Sequence, residues 1–167
     1  MLTTNVKFKN FEKSKEKKEL VNIFRDIKNN INKKSDLFLN SLTKNYKYSF
    51  NKNNLKKYKK FSVFTLVGMG GSSLGAKAIY SFLKLKIKKK FEFLDNIEVH
   101  KRKKDKIKKL NIVISKSGNT LETISNFNTL ENIKNSIFIS ENKKNYLKMV
   151  ANELKKEIFE HRNYIGG

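Results

Sequence analysis

Asn111-Ile112-Val113-Ile114-Ser115-Lys116-Ser117-Gly118-Asn119-Thr120 is the stretch on which the reading of this chain turns. Ile112, Val113 and Ile114 make a continuous branched run, as strands covered on both faces do. Thr120 then opens a helix bearing Leu121, Ile124 and Phe127. Between strand and helix stand three hydroxyls, a flexible glycine and the exposed N–H groups of a helix start. Such groups hold a phosphate dianion without a salt bridge, and the helix dipole adds to the attraction. A bare N-cap would need Thr120 alone. Ser115, Ser117 and Thr120 are therefore candidate phosphate ligands. Lys116 can join them through its side-chain charge or through its backbone N–H, and both routes stay open.

Outward from this loop, short apolar runs alternate with helical spacing. The strands expected are Phe61 to Val67, Phe91 to Phe93 continuing toward Val99, Asn111 to Ser115, Ser136 to Ser140, and Glu157 to Phe159. The helices expected between them are Ser72 to Lys84, a short one near Lys103 to Lys109, Thr120 to Asn132, and Lys143 to Lys155. Strands on both sides of helical connections predict a three-layer α/β/α sandwich on a mainly parallel five-stranded sheet. Ahead of it, Leu20, Ile23, Phe24, Ile27 and Ile31 recur at helical spacing, so Lys13 to Ile31 reads as an amphipathic helix. A second short helix is expected from Asp36 to Thr43, capped by Ser35, and Lys44 to Lys60 reads as a loop with a turn of helix. The division expected is an N-terminal helical arm at 1–60 and a ligand-binding domain at 61–167.

A second loop follows the first strand of the sheet: Gly68-Met69-Gly70-Gly71-Ser72-Ser73-Leu74-Gly75. Its glycines let a ligand approach the backbone, and its serines can cap a helix or present hydroxyls. A dinucleotide fingerprint would need glycine where Ser73 stands, and a P-loop would need lysine where Ala76 stands. In open parallel sheets such βα loops are where ligands bind.

Composition sets the outer limits. The 167 residues can bury a real core. No apolar run is long enough to span a membrane, and Met1 to Asn10 has no apolar core of a secretory kind. A cytoplasmic protein without membrane partners is expected. The absence of cysteine excludes disulfides, thiolate metal sites and cysteine nucleophiles. His100 and His161 are too isolated to suggest a metal centre. The 38 basic against 15 acidic residues give +23, which ordinarily points to a polyanion. Here the lysines are scattered among abundant Asn, Ile and Phe, and arginine appears only as Arg25, Arg102 and Arg162. We read the charge as compositional drift that draws anions to the surface, with no specific nucleic-acid partner.

The two loops together resemble the SIS (sugar isomerase) domain, and more specifically the glucose-6-phosphate isomerase family. Gly68 to Gly75 is similar to the family's G-x-G-G-S-x-L-G loop, and Ser115 to Thr123 to its S-K-[TS]-x-x-T-x-E-T loop. Tyr164-Ile165-Gly166-Gly167 resembles the start of its G-G-R-[FY]-S segment. The resemblance implies reversible interconversion of glucose 6-phosphate and fructose 6-phosphate, in glycolysis and gluconeogenesis, by a cytoplasmic homodimer without a cofactor. It implies that Ser115, Lys116, Ser117 and Thr120 hold the phosphate of a hexose 6-phosphate, that Gly71 and Ser72 face sugar hydroxyls, and that Glu122 organises the site. It also implies that the proton-transferring glutamate, the histidine, the lysine and the arginine lie beyond this segment, so no catalytic residue is expected within the chain. The expectation is an N-terminal part, truncated at its C-terminal end, that grips substrate and turns over little by itself. A stand-alone SIS regulator, or a related phosphosugar isomerase, is the alternative.

Overall fold

A computed structural model describes residues 17–32, 37–97 and 108–166. The described residues fall into two compact units, divided between Lys47 and Tyr48. The helix expected near Lys103 falls mostly outside the described residues, as do Ser35 and His100; the strand expected to continue toward Val99 stops at Leu94, and 95–97 are not strand. Lys109, placed in that helix by the sequence reading, instead opens a strand.

In the first unit, helix α1 (Lys17–Asn32) and the single turn α2 (Leu37–Asn40) come together. The apolar residues Leu20, Ile23, Phe24 and Ile27 repeat as expected, yet all four remain exposed. A four-residue helix is too small to cover a four-turn apolar face.

The second unit is built on five strands, β1 (Val63–Val67), β2 (Lys90–Leu94), β3 (Lys109–Ile114), β4 (Ser136–Ser140) and β5 (Ile158–Glu160). Every pairing is parallel and the order is β2-β1-β3-β4-β5. Helices α3 (Gly71–Leu83), α4 (Leu121–Asn128) and α5 (Tyr146–Glu153) lie among the crossovers. Because side chains alternate along a strand, Val67, Val113 and Phe138 share one face. There they pack with Phe127 of α4 and with Leu147, Val150 and Ala151 of α5. Phe127 and Phe138 meet edge to face, with ring centroids 5.4 Å apart. The opposite face carries Phe64, Leu110, Ile112 and Ile137. Tyr80 of α3 lies against Phe91 and Phe93 of β2, and Phe91 stacks on Phe64.

Several boundaries depart from the sequence reading for local reasons. Lys52–Lys60 is a nine-residue 3₁₀ helix, not a loop with one turn. Asn51 caps its start by accepting from the Asn53 N–H, and Lys89 donates to the Lys59 and Phe61 carbonyls at its end. Tyr58 from this helix packs into the second core cluster, which explains why so lysine-rich a stretch is ordered against the sheet. Helix α4 stops at Asn128, four residues early: Thr129 donates its hydroxyl to the Asn126 carbonyl, and Leu130 and Ile133 turn toward the core. Helix α5 starts at Tyr146 because Asn145 is its N-cap, accepting from the Lys148 N–H. It ends with Lys155 at φ 52°, while the Lys155 and Lys156 N–H groups close back on the Asn152 and Ala151 carbonyls.

Among the described residues, no helix is long and apolar enough to cross a membrane.

Candidate functional site

The strand order puts the topological switch point between β1 and β3. From β1 the chain passes through α3 to β2 on one side. From β3 it passes through α4 to β4 on the other. Helices α3 and α4 therefore cover opposite faces of the sheet, and both begin at its carboxyl edge beside the same crevice. This is where open α/β sheets take their ligands.

Gly68 brings the two loops together. It follows β1 where Ile114 ends β3, and a Cβ there would lie 2.9 Å from the Ile114 carbonyl oxygen and 3.2 Å from the Ser72 Cβ. Any larger residue would push the strand ends apart. Gly70 then turns the chain at φ 56°, and α3 starts with Gly71 exposed and Ser72 half-buried in its first turn. Ser73 is buried and donates to the Gly70 carbonyl, so it closes the turn and does not face the crevice.

Across the crevice, Ser115 is buried at the tip of β3 and its backbone N–H donates to the Ile139 carbonyl. Its hydroxyl lies 2.7 Å from that of Thr120 and 3.4 Å from that of Ser117. It also accepts from the Gly118 N–H at 3.1 Å, while the Ser117 hydroxyl accepts from the Asn119 N–H at 3.2 Å. Thr120 stands at the N-cap position of α4, yet makes no side-chain capping bond. Its hydroxyl is engaged with Ser115 instead. The hydroxyl is part of a three-hydroxyl cluster at a helix start. Glu122 sits half-buried in the first turn of α4.

The side chain of Lys116 goes elsewhere. Its ammonium donates to the Ile165 carbonyl at 2.6 Å and stands 3.9 Å from the Glu141 carboxylate. Of the two routes open from sequence, the side-chain charge is the one these partners take up. Glu141 also pairs with Lys143 at 2.6 Å, and its side chain is only 12% exposed. The Lys143 hydrogen bond, with the charges of Lys143, Lys116 and His161, holds its carboxyl below the usual range against the opposing effect of burial. His161 is occupied structurally: its backbone N–H donates to the Ser140 carbonyl, and its Nδ1 lies 3.0 Å from the Arg162 carbonyl.

Sequence reasoning missed Asn145. It is buried, and besides capping α5 it donates through Nδ2 to the Ser140 hydroxyl and to the Glu141 and Lys143 carbonyls. It also lies directly against Gly118, whose φ is 71°. The Leu147 N–H donates to the Gly118 carbonyl, and the Tyr146 N–H to the Asn119 side chain. The serine-rich loop is thus bolted to the start of α5. The Asn before an apolar helix was legible as a cap; its contact with a glycine 27 positions away was not.

No protein-family model matches the chain. A glucose-6-phosphate isomerase of Borrelia garinii subsp. bavariensis is 35% identical over 134 residues, 71% of this chain and 25% of that protein. One from Methanocaldococcus jannaschii is 39% identical over 82 residues, 44% of this chain and 20% of that protein. The chain therefore spans about a quarter of the length of the curated relatives it matches. Among solved structures, a hypothetical protein of Thermus thermophilus superposes with a TM-score of 0.58 at 24% identity, over 68% of this chain and 32% of that one. That likeness concerns the fold.

Proposed function

We propose that this chain, a relative of the glucose-6-phosphate isomerases over the matched stretch, holds the phosphate of a hexose 6-phosphate between β1 and β3. The reaction served is the interconversion of glucose 6-phosphate and fructose 6-phosphate. The observation that carries the reading is the Thr120 hydroxyl, diverted from capping α4 to the Ser115–Ser117 cluster. These hydroxyls bond one another. A phosphate dianion replaces that mutual pairing with three O–H donors, joined by the backbone N–H groups of Lys116 and Ser117 and the positive end of α4. Gly71 and Ser72, at the start of α3 across the crevice, face the sugar hydroxyls, and Glu122 supports the loop from the first helical turn. The chain's part in the reaction is substrate grip. Moving a proton between C1 and C2 needs a base and a positive partner for the developing oxyanion, and none of the residues assigned here takes either role.

Titration of the chain with fructose 6-phosphate, followed by backbone amide shifts, tests this. The largest changes should fall on 115–120 and 71–73. Hydrogen bonds to a charged group are worth about 1.5–3 kcal/mol, so Ser115→Ala or Thr120→Val should weaken binding by roughly ten- to a hundredfold. Unchanged affinity in both variants would overturn the cradle. Equal affinity for amino-sugar or sialic-type phosphates would retain the cradle and move the assignment to a sugar-phosphate-binding regulator.

A further inference from the structure

We propose that Lys116 is a positioning residue, whose side chain clamps the segment Arg162–Gly166 to the rim of the phosphate loop. The inference deepens the phosphate-binding reading and rests on it only where ligand coupling is concerned. The segment after β5 turns sharply, closed by the Ile165 N–H donating to the Arg162 carbonyl at 3.1 Å. The Lys116 ammonium donates to the Ile165 carbonyl at 2.6 Å. Glu141 holds the same ammonium from the other side and is itself fixed by Lys143. The Glu141 N–H also donates to the Lys116 carbonyl at 3.0 Å. One residue of the phosphate loop thus ties the carboxyl ends of β3 and β4 to the segment that follows β5.

The chemistry suits a strut better than a ligand. An ammonium has three N–H donors; one is committed to the Ile165 carbonyl, and the Glu141 carboxylate attracts the charge from 3.9 Å. Turning it toward a phosphate would leave the Glu141 side chain short of one positive neighbour and the Ile165 carbonyl without this donor. The loop's hydroxyls and backbone N–H groups carry no such cost. A shift of the Lys116 backbone on phosphate binding would be passed to Ile165 through a rigid pair of contacts, so that phosphate in the cradle further orders Arg162–Gly166.

The test is amide hydrogen exchange on the full chain, with and without saturating inorganic phosphate. Lys116→Met, which keeps length and loses charge, should speed exchange at the Ile165 amide at least tenfold. It should also abolish the added protection that phosphate gives there, and Lys116→Arg should restore both to within about threefold. Phosphate affinity in Lys116→Met should fall less than about fivefold, through loss of a nearby charge. A fall of more than twentyfold with Ile165 exchange unmoved would make the side chain a ligand and overturn the proposal. Should Lys116→Met not fold, reductive methylation of the parent chain decides the point. Lys116 should react at least fivefold more slowly than exposed lysines such as Lys88 already in the absence of phosphate; reactivity equal to theirs, or shielding only by phosphate, overturns the clamp. A parent chain that binds no phosphate removes the cradle but leaves the exchange result at Ile165 to judge the clamp. A parent that binds phosphate, with Ile165 indifferent to Lys116→Met, removes the clamp alone.

Discussion

Gly118→Ala tests most directly how the phosphate loop is held. Gly118 is buried at φ 71°, a left-handed conformation costing a non-glycine residue about 1–2 kcal/mol. The new Cβ would also fall on the Asn145 side chain, overlapping Oδ1 and Cγ and lying 2.8 Å from its Cβ. Asn145 would have to leave. It would then give up the cap on the Lys148 N–H, worth about 0.5–2 kcal/mol. Its buried bonds to Ser140, Glu141 and Lys143 would be lost as well, leaving polar groups unpaired at about 1–3 kcal/mol. The sum is about 2.5–7 kcal/mol, a large share of the 5–15 kcal/mol a domain usually has. Urea unfolding followed by circular dichroism should show a loss of this size. The steric part can be isolated: in an Asn145→Gly background, which removes all three clashing atoms, the further cost of Gly118→Ala should shrink to the backbone term of about 1–2 kcal/mol. A cost below about 1 kcal/mol in the parent chain, or an equal cost in both backgrounds, would refute the argument that Asn145 and Gly118 are fitted to each other.

Two further outcomes follow from buried groups. Thr123 lies buried in α4 with a hydroxyl that finds no partner among the described residues, so Thr123→Val, which keeps the shape and removes the orphan, should be neutral or stabilise by about 1 kcal/mol in the same urea assay; a loss beyond 1 kcal/mol would show the hydroxyl is satisfied in solution. Stability should also fall at both ends of the pH scale. Burial would raise the carboxyl of Glu157, but hydrogen bonds from Lys57 and Tyr58 and the charge of Lys57 outweigh it and leave it below its ordinary 4.5. A depressed carboxyl stabilises the fold above that value, and the gain is lost as pH drops below it; Glu92, held by Lys90 and Lys109 against its own burial, acts with the same sign. Tyr58 is shifted the other way, by burial and by its bond to Glu157, so its contribution persists up to its ordinary 10.0 and is lost as pH rises beyond it. Thermal unfolding across pH should show a plateau between these limits, and Glu157→Gln should remove part of the acid-side slope. An identical slope in that variant would refute the assignment.

Much of this protein is legible in local pattern. The branched runs at Val63–Val67 and Ile112–Ile114, separated by helical spacing, determine a parallel sheet because strands that must be covered on both faces leave no polar alternation. The serine-glycine cluster after Ile114 reads as a candidate anion site because hydroxyls and a helix start have few other reasons to crowd into six residues. The resemblance to sugar isomerases was visible in the same two loops. Three things only tertiary structure decided. Alternation alone could not show that Thr120 spends its hydroxyl on Ser115, since a cap and a cluster look alike in sequence. The direction of the Lys116 side chain depends on Ile165 and Glu141, 49 and 25 positions on. And the need for glycine at 118 comes from Asn145, which reaches it only because β3 and β4 lie side by side. Short-range propensity and periodicity fix which elements form and where their loops emerge; the partners of a long polar side chain are set by packing between loops distant in the chain, and that information exists only once the sheet has brought them together.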